Sequence, residues 1–232
     1  MLARTKNFVR RIPVVGGLAR RLIASQSSRR PCVSRTLPNI GRIATSLAGI
    51  PGQDPIIGWP LSRRTYVLND FVAKNDVRSV IEFGCGDGNQ LRLCRYPRYI
   101  GIDISRAAVE MCRRLYGHDK TKKFYATSDV RPRTDCELAL SLDVIYHLVE
   151  DEVYDRYMTT LFDAASRFVI CYSSNEDLAA PVAHIRHRRF TRWVEQSRPD
   201  WTLVNRIDNI HPFDEFDANN TSFADFYIFR RN

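Results

Sequence analysis

At 232 residues with 44% apolar content, the chain can bury a substantial core and suits one domain with an extension better than two domains. Its net charge of +9 gathers at one end: residues 1–45 hold ten Arg or Lys and no acid, leaving 25 basic against 26 acidic residues in the remainder. No apolar run approaches ~20 residues and no apolar block marks a secretory signal, so neither a transmembrane helix nor an exported protein is expected. Six cysteines without C-x-x-C pairs read as reduced thiols of a cytoplasmic protein, with no metal site.

The first segment, 1–45, is a basic arm. Phe8, Ile12, Val15, Leu18 and Leu22 recur at spacings of three and four with arginines on other faces, the pattern of an amphipathic helix interrupted near Pro13 and Gly16-Gly17. Such a helix can lie peripherally on an anionic membrane, meet nucleic-acid phosphates, pack on the domain or stay disordered. Residues 46–74 read as a linker followed by a helix from Leu61 to Lys74, and 75–232 form the main domain.

That domain opens on an apolar strand, Val80-Ile-Glu-Phe, and a glycine turn, Gly84-Cys-Gly-Asp-Gly88, with a helix expected over Asn89 to Cys94. Alternating glycines allow positive φ and let a ligand lie against bare backbone. A dinucleotide fingerprint would place a pyrophosphate here. Glu82 and Asp87 would repel one, and suit instead a ligand carrying an ammonium and a sulfonium.

The string E-x-G-x-G-x-G resembles motif I of the class I S-adenosylmethionine-dependent methyltransferases at every fixed position. The resemblance implies an α/β, Rossmann-like fold: a seven-stranded, mostly parallel sheet in the order 3-2-1-4-5-7-6, with an antiparallel last strand and flanking helices. It also implies S-adenosylmethionine as cofactor, with the 61–74 helix as a cofactor lid.

Tyr99 to Asp103 reads as the second strand. Asp103 follows Glu82 by 21 residues, close to the ~20 expected for an acid that bonds ribose hydroxyls. Ser105 to Tyr116 is a helix and Lys123 to Asp129 a third strand; the resemblance puts the adenine contact at Ser128 and Asp129. Glu137 to His147 is a fourth strand running into its loop, followed by a helix, Asp151 to Ala165, and a fifth strand, Arg167 to Ser173. Trp201 to Ile207 and Phe223 to Phe229 are the last two strands.

By resemblance the cofactor set is Glu82, Gly84, Cys85, Gly86, Gly88, Asp103, Ile104, Ser128, Asp129, Val130, Leu142 and Asp143. The end of the fourth strand, motif IV, lies beside the transferred methyl. His147 is the leading general base, with Tyr146 and His187 in reserve and Asp143 beside it; Tyr146 stands where an acidic residue is frequent. His184, His187, Arg188 and Arg189, near Phe190 and Trp193, form a cationic, aromatic patch suited to an acidic acceptor group.

No Asn/Asp-Pro-Pro-Tyr string and no Pro-Cys nucleophile occur, which argues against methylation of nucleic-acid bases. A consecutive acidic cluster of the metal-dependent catechol type is also missing, although Asp143 and Asp208-Asn209 leave a small opening. O-methylation of a small molecule, sugar or lipid-linked glycan is the expected activity. An inactive scaffold subunit and a nicotinamide oxidoreductase are the alternatives.

Overall fold

The computed structural model describes residues 61–129, 136–178, 182–217 and 221–232; the basic arm, the linker before Leu61 and Val130 lie outside them. Helix α1 (Leu61–Lys74) has the bounds its apolar spacing predicts, and buries Leu68 and Val72. After it come β1 (Val80–Phe83), β2 (Tyr99–Asp103), α2 (Arg106–Tyr116), β3 (Lys122–Ala126), β4 (Cys136–Leu142), α3 (Asp151–Asp163), β5 (Ala165–Ser173), α4 (Phe190–Ser197), β6 (Trp201–Ile207) and β7 (Asp225–Arg231).

The strands form one sheet in the order β3-β2-β1-β4-β5-β7-β6. β1 to β5 pair in parallel, while β7 runs antiparallel to both β5 and β6. Period-two alternation sorts the strand side chains onto two faces. Val80, Leu138, Leu140, Ile170 and Ile228 pack with Leu68 and Val72 of α1 and with Val109 and Cys112 of α2. Ile81, Phe83, Ala139, Val169 and Phe229 pack with Met158, Leu161 and Phe162 of α3 and with Phe190 and Val194 of α4. Helices on both faces explain why β1 is apolar throughout except for Glu82. Each fully buried Leu or Ile contributes about 1.5–3 kcal/mol.

Several elements depart from expectation, among them the helix expected to reach Ala165, which ends at Asp163 so that β5 opens at Ala165. The helix predicted over Asn89 to Cys94 is only a 3-10 turn, Gln90–Leu93, after which Cys94 is extended; Pro97 disfavours helical backbone just ahead of it. The third strand stops at Ala126, and the amide of Asp129 turns back to the Ala126 carbonyl at 2.8 Å. The last strand begins at Asp225 instead of Phe223, because Ser222 Oγ accepts the Ala224 amide at 3.0 Å and holds a turn there. Among the described residues, no helix is long and apolar enough to cross a membrane.

Candidate active site

β1 and β4 adjoin where the strand order reverses, and their carboxyl ends open a crevice. The turn after β1 is pinned to β2. The amides of Gly84 and Cys85 donate to the Ile102 carbonyl at 2.7 and 3.1 Å, and that of Gly86 donates to Asp103 Oδ2 at 2.9 Å. The other Asp103 oxygen accepts the Ser105 amide at 2.8 Å. Gly84 and Gly86 sit at φ +87° and +56°, conformations that favour glycine. A Cβ at Gly84 would run into Val144, whereas one at Gly86 would meet nothing within 4 Å. Gly84 is therefore required by packing, while Gly86 presents bare backbone to open space. The Gly88 carbonyl accepts the Tyr116 hydroxyl at 2.7 Å. Cys85 and Ile104, both half-buried, flank Asp103 at the two turns.

The acids around this turn differ in state. Glu82 is buried and accepts the Tyr99 hydroxyl at 2.6 Å; burial nevertheless pushes its carboxyl up to about 7. Burial also raises Asp103, opposed by the Ser105 and Gly86 amides. Asp129 faces the Arg106 fork at 2.7 and 3.3 Å, and Arg106 Nη2 also reaches Ser128 Oγ at 2.7 Å. The Arg106 hydrogen bond holds the Asp129 carboxyl below its usual range.

At the end of β4, after the buried Leu142, Asp143 adopts φ +58°. One oxygen accepts the Tyr146 hydroxyl at 2.7 Å; the other pairs with Arg64 from α1, whose guanidinium lies 5.3 Å from the Tyr172 ring centroid. Burial and the Asp143 charge push the Tyr146 hydroxyl well above 10, so it stays protonated. His147 ends a 3-10 turn, Ile145–His147, and is buried. Its Nδ1 lies 3.4 Å from the His184 carbonyl, and its Nε2 has no partner among the described residues. Desolvation lowers it to about 4, so the ring is neutral at pH 7.

The segment expected to form a cationic patch divides into two groups. Arg188 donates to the carbonyls of Leu148 and Val149 and to Asp151, with its guanidinium 4.5 Å from the Tyr154 ring centroid. Arg186 bonds Val149 and Asp151, both at 2.9 Å. These two arginines brace the β4–α3 connection. His187 Nδ1 lies 2.8 Å from Ser174 Oγ, beyond the end of β5, while His184 and Arg189 are exposed.

Arg64, only 2% exposed, was not singled out by sequence reasoning. The signal was there, since Arg64, Leu68 and Val72 share one helical stripe, and an arginine on an apolar stripe needs a buried partner. Phe223 was read only as the start of the last strand, because nothing local marks a loop residue whose ring meets Tyr146.

Strand order and a glycine turn at the switch point define the class: this is a class I methyltransferase fold. Solved structures bear out the fold. N-methyltransferase NodS from Bradyrhizobium japonicum WM9, in complex with S-adenosyl-L-homocysteine, superposes with TM-score 0.60 at 14% identity over 83% of this chain and 94% of that one. The methyltransferase domain of bacterial CtHen1 gives 0.58 at 18% identity over 74% and 98%. Magnesium protoporphyrin IX methyltransferase (ChlM) from Synechocystis PCC 6803 with bound S-adenosylhomocysteine gives 0.57 at 13% over 74% and 83%. No curated protein matches the chain in sequence. Residues 62–215 match the methyltransferase domain family, and the chain belongs to that family. It is an enzyme, and its methyl donor is S-adenosylmethionine.

The crevice fits that donor. Open space in front of the Gly86 backbone admits a ligand against the turn, and the acid Asp103 beside it suits a ribose-bearing molecule. Among the described residues no cluster of His, Cys, Asp and Glu is arranged to hold a metal ion.

Proposed function

We propose that the protein is an O-methyltransferase acting on a hydroxyl or carboxyl of a small molecule, a class that includes sugars and lipid-linked glycans. The observation that carries this reading is His147, a neutral buried imidazole one turn from Asp143 with Nε2 unbonded among the described residues. Such a nitrogen can take a hydroxyl proton. Bound S-adenosylmethionine supplies a methyl group on a positively charged sulfur, so the protein's work is positioning and exclusion of water.

In this reading Asp103 accepts from the ribose, and Ser128 and Asp129 meet the adenine amine. Glu82, Gly84, Cys85, Gly86, Gly88, Ile104, Leu142 and Asp143 line the rest of the cofactor site; Val130 lies outside the described residues. Asp143 and Tyr146 hold the loop that carries His147. His184, His187 and Arg189 approach the acceptor, whereas Arg188 is committed to carbonyls and to Asp151. A peripheral membrane role for residues 1–45 is part of the proposal, and nucleic acid is a less favoured partner. Full activity on a membrane-borne acceptor after deletion of residues 1–45 would remove that role.

The test is methyl transfer from labelled donor to matched hydroxyl, carboxyl and amine acceptors on one carbon skeleton. Transfer to oxygen, with kcat reduced about 100-fold in His147→Gln, is the expected result. Transfer to the amine alone, or an unchanged kcat in the variant, would contradict it.

A further inference from the structure

Six rings run without a break from the end of β4 to the surface. His184 and His147 lie parallel with centroids 6.3 Å apart, and His147 and Tyr146 are 4.5 Å apart. Tyr146 meets Phe223 edge-on at 5.0 Å, and Phe223 meets His187 at 4.6 Å and Phe213 at 6.2 Å. All five separations are those of interacting aromatic pairs.

Three polar atoms of this wall are engaged. The Tyr146 hydroxyl donates to Asp143, His187 Nδ1 bonds Ser174, and His147 Nδ1 faces a carbonyl. What remains is ring nitrogens, too few to pair every hydroxyl of a polyhydroxyl ligand, whose unpaired groups would be costly to desolvate. Burial lowers both His147 and His187, so neither ring is charged at neutral pH.

We infer that the methyl acceptor is a neutral aryl hydroxyl compound, and that Phe223 and Phe213 select it by stacking; the inference rests on the methyltransferase reading of the crevice. A phenolic hydroxyl ionises near ~10, far more readily than an aliphatic one, and so needs only a weak base. In the transfer the acceptor hydroxyl gives its proton to His147 Nε2 and its oxygen gains the methyl. The sulfur leaves as the neutral thioether, and the proton then passes to water.

The experiment titrates 2-naphthol, methyl glucoside and decanol into the full chain by ligand-observed NMR, with S-adenosylhomocysteine titrated separately into each protein. Naphthol is expected to bind about tenfold tighter than the other two, and Phe213→Ser and Phe223→Leu each to weaken it about fivefold. Phe213 is 54% exposed, so its variant keeps the fold. Phe216→Ser, at a residue 92% exposed and outside the ring chain, serves as the control with unchanged affinity. Glucoside or decanol binding as tightly as naphthol, or naphthol affinity unchanged in both ring variants, overturns the inference. Naphthol bound and lost as described, with no homocysteine ligand bound by any of the proteins, would instead refute the methyltransferase reading and leave the ring recognition standing.

Discussion

Glu82 and His147 titrate in opposite senses, and their opposition should be visible in the stability of the protein. Burial raises Glu82 from 4.5 to about 7, so between these values the folded state holds a proton that the unfolded chain releases. Its contribution is fully present below 4.5 and is lost as pH rises through 7. Burial lowers His147 from 6.5 to about 4, so the unfolded chain holds the extra proton and stability is lost as pH falls through that range. Each linkage amounts to about 2–3 kcal/mol between pH 4.5 and 7, and Asp103 and His187 add smaller contributions on the two sides.

The wild type should therefore change by less than about 1 kcal/mol across this window in urea titrations. Glu82→Gln, which keeps an acceptor for the Tyr99 hydroxyl, should gain about 2–3 kcal/mol as pH rises, and His147→Gln should lose a similar amount. A flat profile in Glu82→Gln would refute the claim that a neutral, buried imidazole sits at the end of β4.

Gly84→Ala should cost about 3 kcal/mol in thermal unfolding, since its Cβ meets Val144 in a left-handed backbone. Gly86→Ala should cost only about 1 kcal/mol, yet weaken cofactor binding about tenfold or more in calorimetry, because its methyl fills the open cradle. Arg64→Met should destabilise by about 3 kcal/mol in urea, leaving Asp143 without its guanidinium partner, and Arg64→Lys by less.

Most of the fold was legible because it is written in local patterns. Apolar runs ending in glycine or acid marked β1 and β2, the spacing of Asp103 from Glu82 marked the nucleotide unit, and α1 came out with its predicted bounds. What escaped was set by contacts across the chain. Arg188 reads as a surface cation in its own segment, but the carbonyls of Leu148 and Val149 lie within reach of its fork. Likewise His147 looks like an ordinary imidazole of pKa ~6.5 until its burial beneath residues 184–187 is known. Arg64 and Asp143 are 79 positions apart, and no periodicity in either segment links them.

The central claim is that the glycine turn and Asp103 form an S-adenosylmethionine site, and calorimetric titration of S-adenosylhomocysteine into wild type and Asp103→Ala, with NADH as control, tests it most directly. Micromolar binding to wild type, weakened about tenfold or more by the substitution (a loss of about 1.4 kcal/mol) and no heat with NADH, is the predicted result. Binding of NADH, or no loss of S-adenosylhomocysteine affinity in Asp103→Ala, would contradict it.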